Sequence, residues 1–368
     1  MTSPGLVRVH RWIALGLGAL IVLMGLTGAS LVFRKELTAA FTPSVRVSPE
    51  PVPAGEYQRI LAAVRRVEPD ATSVDLVPPG RPERAFEVII YRPGPDRYLF
   101  VDAHDGAVVA DSDREWLPFA VFFQLHQRFM LGEAGAYAVG VTGIALVFMA
   151  VSGLVLWWPR RLKYAFRIRW NGDRLAVSFD LHRCLGAAFA LLLVVNAVIG
   201  ISMVFDKASP ALVNRLTGRQ APQIPAASSN ALASGKPLDE IVAAAERAFP
   251  AGSVSRVAIR DGNAPVVVRK RLATNHETHG MNRIYVDAAS ATVLNVSPLT
   301  DLPPGNAMFE WLLPLHTGTL VGTPYRILLV FAGLVPLLSL VTGLIVWRSK
   351  ARRKTPSANT QAVRQARS

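Results

Sequence analysis

The sequence predicts an α-helical polytopic membrane protein with four transmembrane helices, two small α+β domains outside the membrane and an internal duplication. Three observations carry that expectation. Four apolar runs reach the length of a bilayer crossing, basic residues gather on one side of those runs, and the chain matches itself at fixed offsets. Of 368 residues, 51% are hydrophobic and 18% are charged. Soluble domains carry about 25% charge, so the chain is too apolar to be soluble and too charged to lie wholly in lipid. The single cysteine, Cys184, excludes an intramolecular disulfide and Cys-rich zinc or iron–sulfur sites.

A bilayer core takes about 20 apolar residues in helical form. Residues 12–33, 134–158, 185–205 and 327–347 qualify. The first run is longer than the roughly 7–15 residues of a signal-peptide core. Arg34 and Lys35 follow it without a clean cleavage pattern, so it reads as an anchor.

Lys and Arg in short loops set orientation. Arg8 and Arg11 precede the first span. Arg160, Arg161, Lys163, Arg167, Arg169, Arg174 and Arg183 lie between the second and third, against Asp173 and Asp180. Seven more basic residues follow the fourth. The long segments between are nearly neutral, so the formal net charge of +14 sits on one side. It is a topology signal, not a nucleic-acid patch. The reading puts both termini on the cytoplasmic side and both long segments outside. The chain then divides into 1–33, the N-terminus and first span; 34–122, the first outside domain; 123–158, the second span with its lead-in; 159–178, a basic loop; 179–205, the third span; 206–310, the second outside domain; 311–347, the fourth span with its lead-in; and 348–368, a basic tail.

Repeats appear at fixed offsets. An offset of 172 lays residues 10–33 on 182–205, matching His10 to His182, Arg11 to Arg183, Gly28 to Gly200 and Phe33 to Phe205. An offset of 190 lays 125–157 on 315–347, matching His126 to His316, Gly143 to Gly333 and Trp157 to Trp347. Each outside segment holds an amphipathic helical stretch (57–67 and 238–249) followed by short β-prone runs (85–91 and 98–102; 255–259, 265–270 and 283–287). Val101, Asp102 and Ala103 correspond to Val286, Asp287 and Ala288, and His104, Asp105 and Gly106 read as a turn.

His10, His126, His182 and His316 fall at the N-terminal ends of the four spans. With this topology, His10 and His182 meet at the cytoplasmic face and His126 and His316 at the periplasmic face. Intramembrane ionisable residues are costly and usually partnered. Two facing imidazoles can clamp a haem through bis-His ligation. The other reading is four interfacial side chains with polar tips in the headgroups. Zinc fits less well, because two His per site with no nearby Cys, Asp or Glu is a poor zinc set. Gly25, Gly28, Gly140, Gly143, Gly186, Gly200, Gly333 and Gly343 either admit a ring or let helices pack closely. A straight helix from His126 to Trp157 would overshoot the membrane, so breaks are expected at Gly132 and Gly135, and at Gly322 with Pro324.

Other residues carry less. His276 and His279 flank Glu277 in a polar loop and are possible metal or substrate contacts. Arg269, Lys270 and Arg271 read as a solvated strand edge that could attract an anion. His104 reads as structural, Cys184 as a packing residue, and Trp157, Trp158 and Trp347 as interface anchors. No Walker, dinucleotide or Ser–His–Asp signature is visible.

The chain resembles the PepSY-associated transmembrane helix proteins, the bacterial iron-regulated membrane proteins. The resemblance rests on Val9-His10-Arg11-Trp12, Leu125-His126, Leu181-His182-Arg183, Leu315-His316-Thr317-Gly318 and the two Val-Asp-Ala strands. It covers about residues 6 to 350. It implies PepSY-like outside domains and, from members that reduce ferric siderophores, two b-type haems with His10, His182, His126 and His316 as axial ligands. The implied activity is haem-dependent transmembrane ferric siderophore reduction, fed by an unidentified cytoplasmic or quinol donor. The competing expectations are a non-enzymatic binding or regulatory membrane protein and a repeat-built transporter. Against the transporter, no span carries a central charge or an obvious broken midplane site.

Overall fold

A computed structural model describes residues 4–41, 45–80, 84–93, 95–113, 118–158, 164–228, 235–273 and 280–354. Among the described residues, four helices are long and apolar enough to cross a membrane: α1 (Pro4–Leu31), α5 (Gly132–Trp157), α6 (Arg174–Val204) and α10 (Thr323–Lys354, with its candidate span Thr323–Ala351). The chain forms two compact units whose boundaries fall inside these helices. One is made of residues 1–29, 141–198 and 330–368, and the other of 30–140 and 199–329.

In the first unit, α1 and α10 pack through small residues. A Cβ on Gly25 would come within 2.4 Å of the Gly333 carbonyl oxygen, and one on Gly333 within 2.5 Å of the Gly25 carbonyl oxygen. Such an approach requires glycine at both positions. Helix α6 begins eleven residues before the apolar run, capped by the Asp173 carboxylate, which accepts the Ala176 amide at 2.8 Å. Arg174, Asp180 and Arg183 are therefore helical rather than loop residues.

The second unit is built on one eight-stranded antiparallel sheet. Its strands are β1 (Ser73–Val77), β2 (Phe86–Tyr91), β3 (Arg97–Val101), β4 (Val108–Asp111), β5 (Ser253–Ile259), β6 (Val266–Arg271), β7 (Asn282–Val286) and β8 (Val293–Ser297), in the order β4-β3-β2-β1-β5-β6-β7-β8. This corrects the expectation of two separate small domains. Val74, Asp75 and Leu76 pair with Ile259, Ala258 and Val257, fusing the halves at their centre. The reason is edge protection: each four-stranded half alone would leave β1 or β5 unpaired.

Alternation assigns the faces. Val74, Leu76, Val88, Ile90, Val257, Ile259, Val266, Val268 and Ile284 point to one side and are buried by α3 (Glu56–Val67) and α8 (Leu238–Ala248) in a single apolar core. The two helices brace each other. Asp239 accepts the amides of Tyr57 and Gln58 at 3.2 and 2.9 Å, and Gln58 Oε1 accepts the Leu238 amide at 2.9 Å. On the other face, Ile89, Tyr98 and Phe100 pack on Phe119 and Ala120 of α4 (Pro118–Arg128).

Two turns correspond. The Asp102 amide donates to Ala107 O and the Asp287 amide to Thr292 O, each at 2.9 Å. Gly106 (φ 75°) and Ala291 (φ 59°) occupy the same left-handed position. Ladder bulges fall at Phe100/Val101 and at Tyr285/Val286.

Breaks occur at Gly132 and Gly322 as expected, whereas Gly135 lies within α5. Phe129, Met130 and Gly132 take positive φ between α4 and α5. Gly318 and Gly322 do so between α9 (Pro304–Thr317) and α10. The Met130 amide donates to Gln124 O at 3.4 Å and the Leu320 amide to Pro314 O at 3.3 Å. Short helices α2 (Arg34–Phe41) and α7 (Ala208–Leu216) complete the unit.

Candidate functional site

The first unit brings His10 of α1 and His182 of α6 together, with ring centroids 6.4 Å apart and planes at 83°. The second brings His126 and His316 together at 6.0 Å and 46°. These two stand in the last turns of α4 and α9, not at the starts of the long helices as the sequence suggested.

A carbonyl sets the tautomer of His182, and a hydroxyl engages His10. His182 Nδ1 lies 2.9 Å from the Ser339 carbonyl oxygen and 3.3 Å from Thr342 Oγ1. A carbonyl only accepts, so Nδ1 carries the proton and Nε2 keeps its lone pair. His10 Nδ1 lies 2.8 Å from Ser152 Oγ. The same hydroxyl also lies 3.2 Å from Met149 O, an acceptor that lets it receive a proton from His10 Nδ1. Ser152 and Thr342 stand at the same place under the offset of 190. Imidazoles that bind metals are commonly held this way, with the second ring nitrogen donating to an oxygen.

At 6.4 and 6.0 Å between ring centroids, each pair leaves room for one metal atom between its imidazoles. Glycine lies against three of the rings. A Cβ would stand 3.5 Å from His10 Cε1 at Gly153, 3.3 Å from His182 Cε1 at Gly343 and 3.4 Å from His316 Cε1 at Gly200. The small residues thus divide: Gly25 and Gly333 join helices, whereas Gly153, Gly343 and Gly200 make room for imidazoles. Among the described residues no group of three or more His, Cys, Asp or Glu could hold a bare metal ion. Two imidazoles suit a metal that brings its own equatorial ligands.

The helices carrying the second pair are fastened to the sheet. Arg34 pairs with Glu87 on β2 and stacks over Phe119 and Phe123 of α4, at 5.0 and 5.7 Å. On α9 the buried Glu310 pairs with Arg269 of β6 and Arg283 of β7. Asn214 of α7 accepts the Gly305 amide at 2.7 Å and donates to Asn306 Oδ1 at 2.7 Å.

The basic run on β6 is not a solvated edge. Lys270 is 1% exposed and donates to Phe249 O at 2.7 Å, because β6 is an interior strand. His104 is structural: Nδ1 contacts Asp102 Oδ1 at 2.7 Å and Nε2 contacts Glu50 O at 3.0 Å. The Asp102 hydrogen bond raises its pKa. Cys184 is buried near Ala165 O, which also accepts Trp157 Nε1–H at 3.2 Å. His276 and His279 lie outside the described residues. The sequence reading missed Ser152, Ser339, Thr342 and Glu310. The recurring hydroxyl–glycine pairs Ser152-Gly153 and Thr342-Gly343 were the available signal for the first of these.

A family model described as "PepSY-associated TM region" matches residues 7–350. The chain belongs to this family. The PepSY-associated match runs through all four paired histidines and the whole sheet, and this is a membrane protein. A search of curated proteins finds no match.

Proposed function

We propose that this PepSY-associated protein is an inner-membrane electron carrier that holds two b-type haems and delivers electrons to a periplasmic ferric chelate such as a ferric siderophore. The observation that carries the reading is the His10–His182 pair: centroids 6.4 Å apart, with both Nδ1 atoms engaged and both Nε2 lone pairs left for a metal. His126 and His316 form the second site. Each haem, when bound, supplies an iron that changes by one electron.

The chain's own groups hold and orient. Ser152, and Ser339 with Thr342, keep the first pair in the ligating tautomer. The sheet, through the Phe119 packing and the Glu310 ion pairs, holds the helices that carry His126 and His316. The basic loop and tail support an orientation with both termini in the cytoplasm and the sheet in the periplasm. The corresponding turns, bulges and helix breaks support an origin by duplication. The basic loop between α5 and α6 is short and has no nucleotide motif, so the donor is a separate protein or a quinol.

The test is the absorption spectrum of detergent-purified protein, oxidised and dithionite-reduced, with haem measured per chain. Sharp reduced bands and two haems per chain are expected. A colourless protein from haem-replete cells contradicts the reading and favours a non-enzymatic binding role for the sheet.

A further inference from the structure

We propose that Arg11 and Arg183 are anion clamps for the two propionate carboxylates of the haem held by His10 and His182. This rests on the haem reading above. Each arginine follows its histidine by one residue and corresponds to the other under the offset of 172. The step turns the side chain about 100° around the helix from the imidazole. Helical side chains also lean toward the helix N-terminus. Both arginines are thus within one residue of the paired imidazoles on their helices, with side chains leaning toward the helix starts.

Their hydrogen bonding is incomplete. Arg11 Nε and Arg183 Nε are buried and find no hydrogen-bond partner among the described residues. The Arg11 guanidinium meets the Trp12 ring at 5.6 Å. Arg183 Nη2 donates to Arg167 O at 2.9 Å and stands 3.7 Å from Asp180 Oδ1. That carboxylate is already engaged by Arg169, at 2.8 Å through Nε and 3.1 Å through Nη2.

Two cations beside an apolar bundle, one with no carboxylate and one sharing a carboxylate at long range, leave an anion deficit. Haem brings two carboxylates, and guanidinium binds carboxylates in fork geometry. Arg169, Arg174 and Lys350 are less suited. Arg169 is committed to Asp180, Arg174 opens α6 more than two turns before His182, and Lys350 stacks on Phe179 at 5.5 Å. A phospholipid phosphate could engage the same chemistry, and the experiment separates the two.

Full-length wild type and the Arg11→Gln, Arg183→Gln, Arg11→Lys and Arg183→Lys variants are purified with haem. Release to excess apomyoglobin and the midpoint potential of each haem are then measured. Each Gln variant should release one of the two haems about tenfold faster, as expected for the loss of one charge-assisted bond. The same haem should shift to lower potential, because its propionate charge is no longer offset. The Lys variants should fall between. Wild-type protein stripped of haem is also reloaded with haem or haem dimethyl ester, and the ester should leave faster from one site. That arm needs no variant to fold. Unchanged release and potential in the Gln variants, with ester and haem held alike, overturn the proposal and leave the arginines to lipid phosphate. Wild type that carries no haem instead sinks the parent reading.

Discussion

The hydroxyl of Ser152 lies 2.8 Å from Nδ1 of His10, so a polar atom inside one apolar helix engages an imidazole on another. The partner imidazole is held differently. His182 Nδ1 leans mainly on the Ser339 backbone carbonyl, with Thr342 Oγ1 at 3.3 Å as a second contact. Side-chain substitution should therefore affect the two rings unequally. Ser152→Ala should weaken retention of one haem by 10-fold or more, the usual effect of losing an outer partner, roughly 10–100-fold. Thr342→Val should change it by less than about fivefold, since a single extra hydrogen bond contributes only about 1 kcal/mol or less. Haem-release kinetics check both, and equal effects would contradict the tautomer argument.

Gly106 and Ala291 test the paired turns. Both residues are left-handed, but only one is glycine. Gly106→Ala adds a Cβ 3.3 Å from Arg59 O in a conformation that costs a side chain about 1–2 kcal/mol. Ala291→Gly relieves that cost at its own site, partly offset by about 0.5–1 kcal/mol of backbone entropy. Thermal unfolding should show destabilisation by the first and a neutral or slightly stabilising effect of the second. Similar losses from both would contradict the shared turn geometry.

Glu310 is buried between Arg269 and Arg283, whose side chains are 19% and 27% exposed. Glu310→Gln should destabilise the sheet-bearing unit by about 2 kcal/mol, below the roughly 3–5 kcal/mol of a fully buried broken pair because solvent reaches both arginines. The same change loosens α9, so the spectrum of the His126–His316 site should broaden while that of the His10–His182 site stays fixed. Loss of both signals together would show that Glu310 acts only on global folding.

The two turns should fail at opposite ends of the pH scale. Asp287 accepts the Ser228 amide and both the amide and hydroxyl of Ser290, which hold its pKa below the usual carboxylate value. Its stabilising effect is complete above that usual value and is lost as pH falls through the depressed one. His104 is raised by Asp102, so its contribution is complete below the ordinary histidine value and is lost as pH rises through the raised one. Hydrogen exchange should show the Asp287 turn opening first as pH falls through the depressed Asp287 value and the Asp102 turn first as pH rises through the raised His104 value. Asp287→Asn should flatten the acid response alone.

The sequence exposed most of the bundle, because an apolar run of bilayer length has few other uses. It also exposed the four histidines, because two ungapped offsets superpose them. The breaks at Gly132 and Gly322 were legible from helix length against membrane thickness. The fused sheet was not, since pairing β1 with β5 joins residues more than 180 apart and nothing local marks it. Strands β1, β4 and β8 went unread. Lys270 misled because charge signals exposure until a carbonyl such as that of Phe249 accounts for it. His276 and His279, expected as possible ligands, fall outside the described residues.

The central claim is that His10 with His182, and His126 with His316, each hold one haem. Four single His→Ala variants, with haem content and reduced spectra measured for each, test it most directly. The account predicts that His10→Ala and His182→Ala lose the same one of two spectral components, and that His126→Ala and His316→Ala lose the other. Wild-type haem content in all four variants, or losses that couple His10 with His126, would contradict it.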